Sequence, residues 1–452
     1  MFKSVNPFSL NIIDEYDEHS SAQAQQIVHD LEKGFNHWRK LSLTQRAKAL
    51  LNVAQKLKQQ KEELATLITH EMGKPIAQSR AEIEKCAWVC EYYAQEAESH
   101  LRPISIASDA TGSYAKFEPL GVIFGVMPWN FPFWQLFRFA APTLMAGNTV
   151  LFKHAPNVVG CGNAIESLFS EAFAERILGQ VVISIPQVEG IVANPAVKAV
   201  SLTGSEQAGS SFASLAGKYL KKSVLELGGS DPFVVFNSAN LDLALDQGLK
   251  SRILNNGQSC IAAKRFLVQK GIYSDFKQRL VDSFASLKVG NPLDESVDVG
   301  PLARADLKEK LASQVQELRD LGGEIVFQAT SIPENGCFYP PTIIEIPMQL
   351  GERVQEEFFG PVAILIAFET IDDCLRIANS TNFGLGSAVF SNDENEISRL
   401  ENEINAGAVF VNGMVKSDPR LPFGGIKNSG FGRELGQEGI KEFVNIKTVW
   451  RK

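Results

Sequence analysis

Between residues 20 and 100 apolar side chains recur at helical spacing, through Ala47, Leu50, Leu51, Ala54 and Leu57 and again through Leu64, Leu67, Ile68 and Met72, with polar residues filling the other faces. That pattern predicts a run of amphipathic helices, each burying one stripe. From about 101 to 127 the texture changes to short β-like runs at Pro103–Ile106, Ser113–Phe117 and Val122–Val126. Apolar segments at Thr149–Phe152, Val181–Ser184 and Ala199–Leu202 then alternate with helical stretches. Mostly apolar strands separated by helices predict a parallel sheet covered on both faces. After Gly229 the alternation resumes at Phe233–Phe236, Val362–Ile366 and Val409–Val411, which predicts a second α/β domain. Phe443–Trp450 reads as a strand added at a sheet edge.

Length agrees with that division, since 452 residues exceed one ordinary core. A net charge of −8 argues against non-specific binding to nucleic acid or anionic membranes. The longest apolar-rich stretch, Pro119 to Phe137, is broken by Pro128 and Pro132, so no membrane-spanning helix is expected. The N-terminus, Met1–Pro7, lacks the apolar segment of a secretion signal. Six cysteines are too sparse for a disulfide framework, and Cys86 and Cys90 sit in a helical pattern as core residues. A cytoplasmic protein is the expectation. The six histidines, none beyond His154, form no i,i+4 pair and no zinc spacing, so no metal site is expected.

Two fragments suggest covalent chemistry. In Asn256-Gly257-Gln258-Ser259-Cys260 a cysteine follows a glycine turn among small and amide residues, a setting for an exposed nucleophile. In Leu225-Glu226-Leu227-Gly228-Gly229 a glutamate ends an apolar run, a setting for a general base. Taken singly, Cys260 reads equally as a small buried hydrophobe and Glu226 as the end of a strand. Pro128-Trp129-Asn130-Phe131-Pro132 is a stiff turn that fixes one amide, either as an oxyanion donor or as a packed aromatic corner. Thr203-Gly204-Ser205-Glu206 follows a strand and opens a helix, either as a phosphate cradle or as a simple cap. Neither G-x-G-x-x-G nor G-x-x-x-x-G-K-[ST] occurs.

In this order, and joined by Ala146-Gly147-Asn148, Glu356-Glu357-Phe358-Phe359-Gly360-Pro361, Asn382-Phe383-Gly384-Leu385 and Pro422–Gly430, these fragments resemble the aldehyde dehydrogenase superfamily over essentially the whole chain. The resemblance implies that Cys260 attacks an aldehyde and that Asn130 and the Cys260 N–H hold the oxyanion. Hydride then passes to a nicotinamide, and Glu226 activates water to hydrolyse the thioester. It further implies that Glu357 binds the nicotinamide ribose, Phe359 flanks the ring and Lys153 reaches the adenosine ribose. Gly204 and Ser205 would lie beside the pyrophosphate, with Pro128, Trp129 and Leu227 also on the cofactor.

Where many NAD-preferring relatives carry Lys-Pro-x-Glu, this chain has Lys153-His154-Ala155-Pro156. Loss of that acid removes a charge that would repel a 2′-phosphate. NAD and NADP are therefore expected to be used about equally. Within the superfamily the motifs are most similar to bacterial succinate-semialdehyde dehydrogenases. Arg138, eight residues after Asn130, would match a substrate-carboxylate arginine of that group, and Ser417 a hydroxyl that helps. A second arginine of the group is absent, because Leu254 stands in its place with Arg252 two positions earlier. Other aliphatic or aromatic aldehydes, glutarate semialdehyde among them, stay open.

The implied architecture is two doubly wound α/β domains plus a β-arm for oligomerisation. Residues 1–99 and 119–226 would bind coenzyme, 227–430 would form the catalytic domain, and 100–118 with 431–452 would form the arm of a homodimer or homotetramer. The rival classes are a cofactor-independent thiol hydrolase, a coenzyme A-acylating enzyme, and a catalytically silent relative. The last would lack Cys260, Glu226 or Asn130, and all three are present.

Overall fold

A computed structural model describes residues 1–452. Four helices, Ser21–Trp38, Leu43–Gln59, Lys61–Met72 and Ile76–His100, fill the stretch with helical periodicity. Ser20 and Ser42 open the first two with reciprocal caps to Gln23 and Gln45, satisfying amide hydrogens that have no partner inside a helix. Ahead of them lies an antiparallel hairpin, Phe2–Val5 with Ile12–Tyr16, which the hydrophobic pattern did not announce.

Two large sheets follow. The first runs, in spatial order, Gly430–Phe431, Lys222–Glu226, Val197–Thr203, Val122–Val126, Thr149–Lys153 and Leu178–Gln180, parallel except at the short first strand. Neighbouring side chains leave it on opposite faces. Ile123, Val150 and Ala199 join a core with the helices at 43–100 and 134–170, whereas Val122, Leu151 and Val200 pack toward the helices at 21–38 and 206–218. The second sheet runs Glu324–Gln328, Thr342–Ile346, Val362–Phe368, Arg265–Gln269, Pro232–Val235, Gly386–Phe390 and Ala408–Val411, parallel except for its antiparallel first edge. It too is cored on both faces. The doubly wound α/β fold predicted from the alternation is what forms.

A third, antiparallel sheet stands apart, with Gly112–Pro119 between Ile104–Ser105 and Val444–Arg451. Residues 431–443, expected in the arm, lie elsewhere: Phe431 pairs with Leu225 of the first sheet, and Leu435, Ile440 and Phe443 join the core beside it. Among the later residues only the strand 444–451 reaches the arm. The strand expected at 181–184 is shifted to Leu178–Gln180. Val181 still donates to the Phe152 carbonyl at 2.8 Å, after which the chain turns into a helix at Ile185 whose second residue is Pro186.

The first sheet changes winding direction between Val122–Val126 and Val197–Thr203. Ligands of such sheets bind beyond the carboxyl ends of the strands at that switch. The Pro128–Pro132 turn leaves one of those strands and Thr203-Gly204-Ser205 ends the other.

Candidate active site

The turn after Val126 is braced from outside. Glu82 accepts from the Phe133 and Trp134 amides at 2.9 Å each, closing the open N-terminus of the helix Trp134–Met145. Lys74, fully buried, pairs with Glu82 and sits 4.0 Å from the Phe131 ring centre. Asn130 is thereby held against the cysteine loop, its Nδ2 donating to the Gln258 carbonyl at 3.1 Å.

The loop carrying Cys260 is built almost without regular structure. Asn255 and Asn256 both take left-handed backbone (φ 57°), a conformation Asn tolerates better than other non-glycine residues. Gly257 follows at φ 76°, and a Cβ there would overlap the Gly360 carbonyl. Side chains then tie the loop down. Asn256 donates to the Gly73 and Pro301 carbonyls at 3.0 and 2.8 Å, and Gln258 accepts from the Ala303 amide at 2.9 Å. Arg252 donates to the Gly257 carbonyl at 2.6 Å and the Ala263 carbonyl at 2.9 Å. Arg252 is thus consumed inside the protein, and Leu254 faces a cavity in the place of the missing arginine.

Two cavities meet at Cys260 and Gln135. The larger, about 570 Å³, opens over the first sheet's switch point, with Pro128, Trp129, Gly204, Ser205 and Leu227 in its wall. Glu357 and Phe359 close its other side. Phe359 stands edge-on to Trp129 at 5.7 Å between ring centres. Ser205 caps the helix Glu206–Lys218, and the buried Thr203 hydroxyl in the same wall has no partner within the chain. A helix N-terminus and an unpaired hydroxyl suit a pyrophosphate, so the cleft fits a dinucleotide. Lys153 lies outside this lining. It is buried, donates to the His154 carbonyl at 3.2 Å and has no carboxylate partner; burial lowers its ammonium below the usual lysine range.

The second cavity, about 170 Å³, reaches Cys260 from the opposite side and includes Trp134, Arg138 and Ser417. Arg138 is 1 % exposed, forms an ion pair with buried Glu434 and lies over the Phe423 ring at 4.4 Å. Its charge has a partner in Glu434, while its buried Nη2 has no hydrogen-bond partner in the chain.

Glu226 is buried and lines neither cavity. Its carboxylate points behind Gly424, close enough that a Cβ there would sit 2.8 Å from Oε1, and neither oxygen has a hydrogen-bond partner. Burial holds it well above the usual carboxylate range, with Arg138 opposing and Glu434 adding to the rise. Burial likewise pushes the Cys260 thiol up to about 12, against the pull of Lys264 and then Arg138.

Three groups were missed from the sequence. Lys264 lies under the loop, donating to the Ser259 carbonyl at 2.8 Å and to the Cys260 carbonyl. Glu434 backs Arg138. Lys85 enters the smaller cavity beside Ser417. Only Lys85 left a trace in the pattern, because Gln78, Glu82 and Lys85 form a polar line at helical spacing inside an otherwise apolar stripe.

Comparison with known proteins agrees with this geometry. Residues 1–449 match the model of the aldehyde dehydrogenase family. A probable succinate-semialdehyde dehydrogenase [NADP(+)] of Synechocystis sp. is 45% identical over 448 residues, 99% of each chain. The succinate semialdehyde dehydrogenase [NAD(P)+] of Escherichia coli is 41% identical over 419 residues, 92% of this chain and 91% of its own. The crystal structure of succinic semialdehyde dehydrogenase from Streptococcus pyogenes, in complex with NADP+, superposes with a TM-score of 0.96 at 33% identity, covering 100% of this chain and 99% of that one. The chain belongs to the aldehyde dehydrogenase family.

Proposed function

We propose that this protein oxidises succinate semialdehyde to succinate, using NADP at least as well as NAD. The observation that carries the reading is the meeting of two differently built cavities at one thiol. A dinucleotide cleft reaches Cys260 from one side, and a small cavity walled by Lys85, Arg138 and Ser417 reaches it from the other. The names borne by the Synechocystis and Streptococcus proteins support the same substrate and cofactor. Lys153 without a carboxylate partner, with Pro156 three residues on in place of an acid, supports acceptance of a 2′-phosphate.

In this mechanism the Cys260 thiol gives its proton to solvent, and the thiolate attacks the carbonyl carbon, forming the C–S bond while the π pair moves to oxygen. One Asn130 amide hydrogen is taken by Gln258 and the other is free for that oxyanion, together with the Cys260 N–H, which has no acceptor in the chain. Each such donor is worth about 3 kcal/mol of transition-state stabilisation. Glu357, Phe359 and Ser205 would hold the cofactor, with Lys153 toward its adenosine end, and it would supply the acceptor for the hydride that leaves carbon as the oxyanion re-forms the carbonyl of a thioester. Glu226 rotates from behind Gly424, takes a proton from water as the water attacks the thioester, and the C–S pair returns to Cys260. A fixed base would otherwise stand beside a reactive thiol throughout the first half of the reaction.

The arm and the open edge at Ala408–Val411 support assembly into a homodimer or homotetramer. Six free cysteines suit a reducing compartment such as the cytoplasm. Initial rates test the reading. Succinate semialdehyde is expected to exceed butyraldehyde in kcat/KM by about 100-fold, or about 2.7 kcal/mol. Equal turnover of the two would remove the substrate assignment and leave family membership intact.

A further inference from the structure

The helix Ile76–His100 turns Gln78, Glu82 and Lys85 toward the smaller cavity, four and three residues apart on one face. Three cations line that cavity: Lys85, Arg138 and Lys416. Arg138 is paired with Glu434, and Lys416 is exposed to solvent. Lys85 has no ion-pair partner, because the carboxylates around it are taken. Glu82 is held by Lys74 and two backbone amides, and Asp418 by the Arg420 guanidinium through both oxygens.

The Lys85 ammonium lies 4.1 Å from the Trp134 ring centre and donates to Ser417 Oγ at 2.9 Å. Trp134 Nε1 donates to the same oxygen at 2.9 Å. With both lone pairs of Ser417 occupied, its hydroxyl has only its proton left to offer. Lys85 has two further N–H groups. Burial and the nearby Arg138 push the ammonium down to about 8, with Cys86, Glu82 and Asp418 pulling it back. A cation with two N–H groups to spare and a hydroxyl proton without an acceptor face a cavity whose other end is the nucleophile.

We propose that Lys85, together with the Ser417 hydroxyl, binds the distal carboxylate of the semialdehyde and is the residue that selects an acidic aldehyde. Arg138, which neutralises Glu434 and packs on Phe423, keeps one nitrogen, Nη2, without a partner in the same wall. The inference rests on the substrate reading above and names the group that enforces it.

The test uses the full-length enzyme saturated with NADP. Values of kcat/KM for succinate semialdehyde and for butyraldehyde, its neutral counterpart of equal length, are measured for wild type, Lys85→Met and Lys85→Arg. Lys85→Met is expected to lose about 100-fold on the acid, mainly through KM, while butyraldehyde stays within about threefold. Lys85→Arg is expected to keep most of the preference. Equal losses on both substrates would mark Lys85 as structural and overturn the proposal. If wild type prefers the acid and Lys85→Met does too, the Lys85 assignment falls and the substrate reading stands. If wild type shows no preference, both fall. A readout independent of variant folding is acetylation of Lys85 in wild type, followed by mass spectrometry. Succinate should protect Lys85 and butanol should not; no protection by succinate overturns the proposal.

Discussion

Lys264 Nζ lies 3.4 Å from Glu357 Oε1 while donating to the carbonyls of Ser259 and Cys260. One fully buried cation therefore joins the carboxylate expected on the nicotinamide ribose to the loop that carries the nucleophile. Glu357 is placed for this by the Gly229 amide, which donates to it at 3.1 Å.

The first consequence concerns thiol reactivity. With the Cys260 thiol at about 12 in the cofactor-free enzyme, the thiolate is a small fraction at neutral pH and grows tenfold per pH unit. Alkylation by iodoacetamide should therefore accelerate about tenfold per unit from pH 7 to 10, without a plateau. Lys264 is the largest influence lowering that value, so Lys264→Met should alkylate several-fold more slowly at each pH. A wild-type plateau near pH 8 would contradict that raised value.

Removal of the base separates the two halves of the reaction. Glu226→Gln should still form the thioester and release one equivalent of NADPH per Cys260 in a burst. The steady-state rate should then fall by roughly 10²–10⁴-fold, the usual range for a lost general base. In wild type, a base held above the carboxylate range must lose its proton to act, so deacylation should rise with pH through that raised value. Rapid-mixing absorbance of NADPH checks both; loss of the burst itself would assign Glu226 to an earlier step.

Which of these features the sequence made legible follows from what each one needs. Gly257 and the Asn255–Asn256 pair are visible because left-handed backbone narrows the residue choice. The strands at Val122–Val126 and Val362–Phe368 are visible because burial on both faces leaves almost no polar position. Lys264 and Glu434 were not legible, since a buried charge is explained only by a partner distant in sequence, Glu357 for one and Arg138 for the other. The pairing of Arg138 with Glu434 is hidden in the sequence for the same reason, the two lying almost three hundred positions apart. The resemblance implies an arm that takes in 431–443, whereas Phe431 pairs with Leu225 of the first sheet, a choice that the residue pattern does not announce.

Cofactor choice should respond to two positions. Lys153 is a buried cation without a carboxylate, and Pro156 begins a short turn of 3₁₀ helix at an exposed position. Lys153→Ala is expected to lower kcat/KM with NADP about tenfold or more and with NAD much less. Pro156→Glu should place an anion near the 2′-phosphate and move the NADP/NAD ratio toward NAD by about 100-fold, some 2.7 kcal/mol. An unchanged ratio in both variants would place the 2′-phosphate elsewhere.

The arm offers a test of assembly that leaves the site untouched. Val444–Arg451 pairs along the whole of Gly112–Pro119, yet Ile446 and Trp450 are 62% and 49% exposed, and Ile104 beyond them is 51% exposed. Large apolar side chains on so thin a sheet are normally covered by another surface. The edge strand Ala408–Val411 of the second sheet has no neighbour on its outer side, and its four residues are only half-buried. A second copy of the chain can cover both at once, one protomer's arm lying along its partner's sheet edge. Ile446→Asp should then convert an oligomer to a smaller species in sedimentation experiments, with the melting temperature falling and becoming less dependent on protein concentration. If Ile446→Asp sediments as wild type does, the exposed arm has some other use.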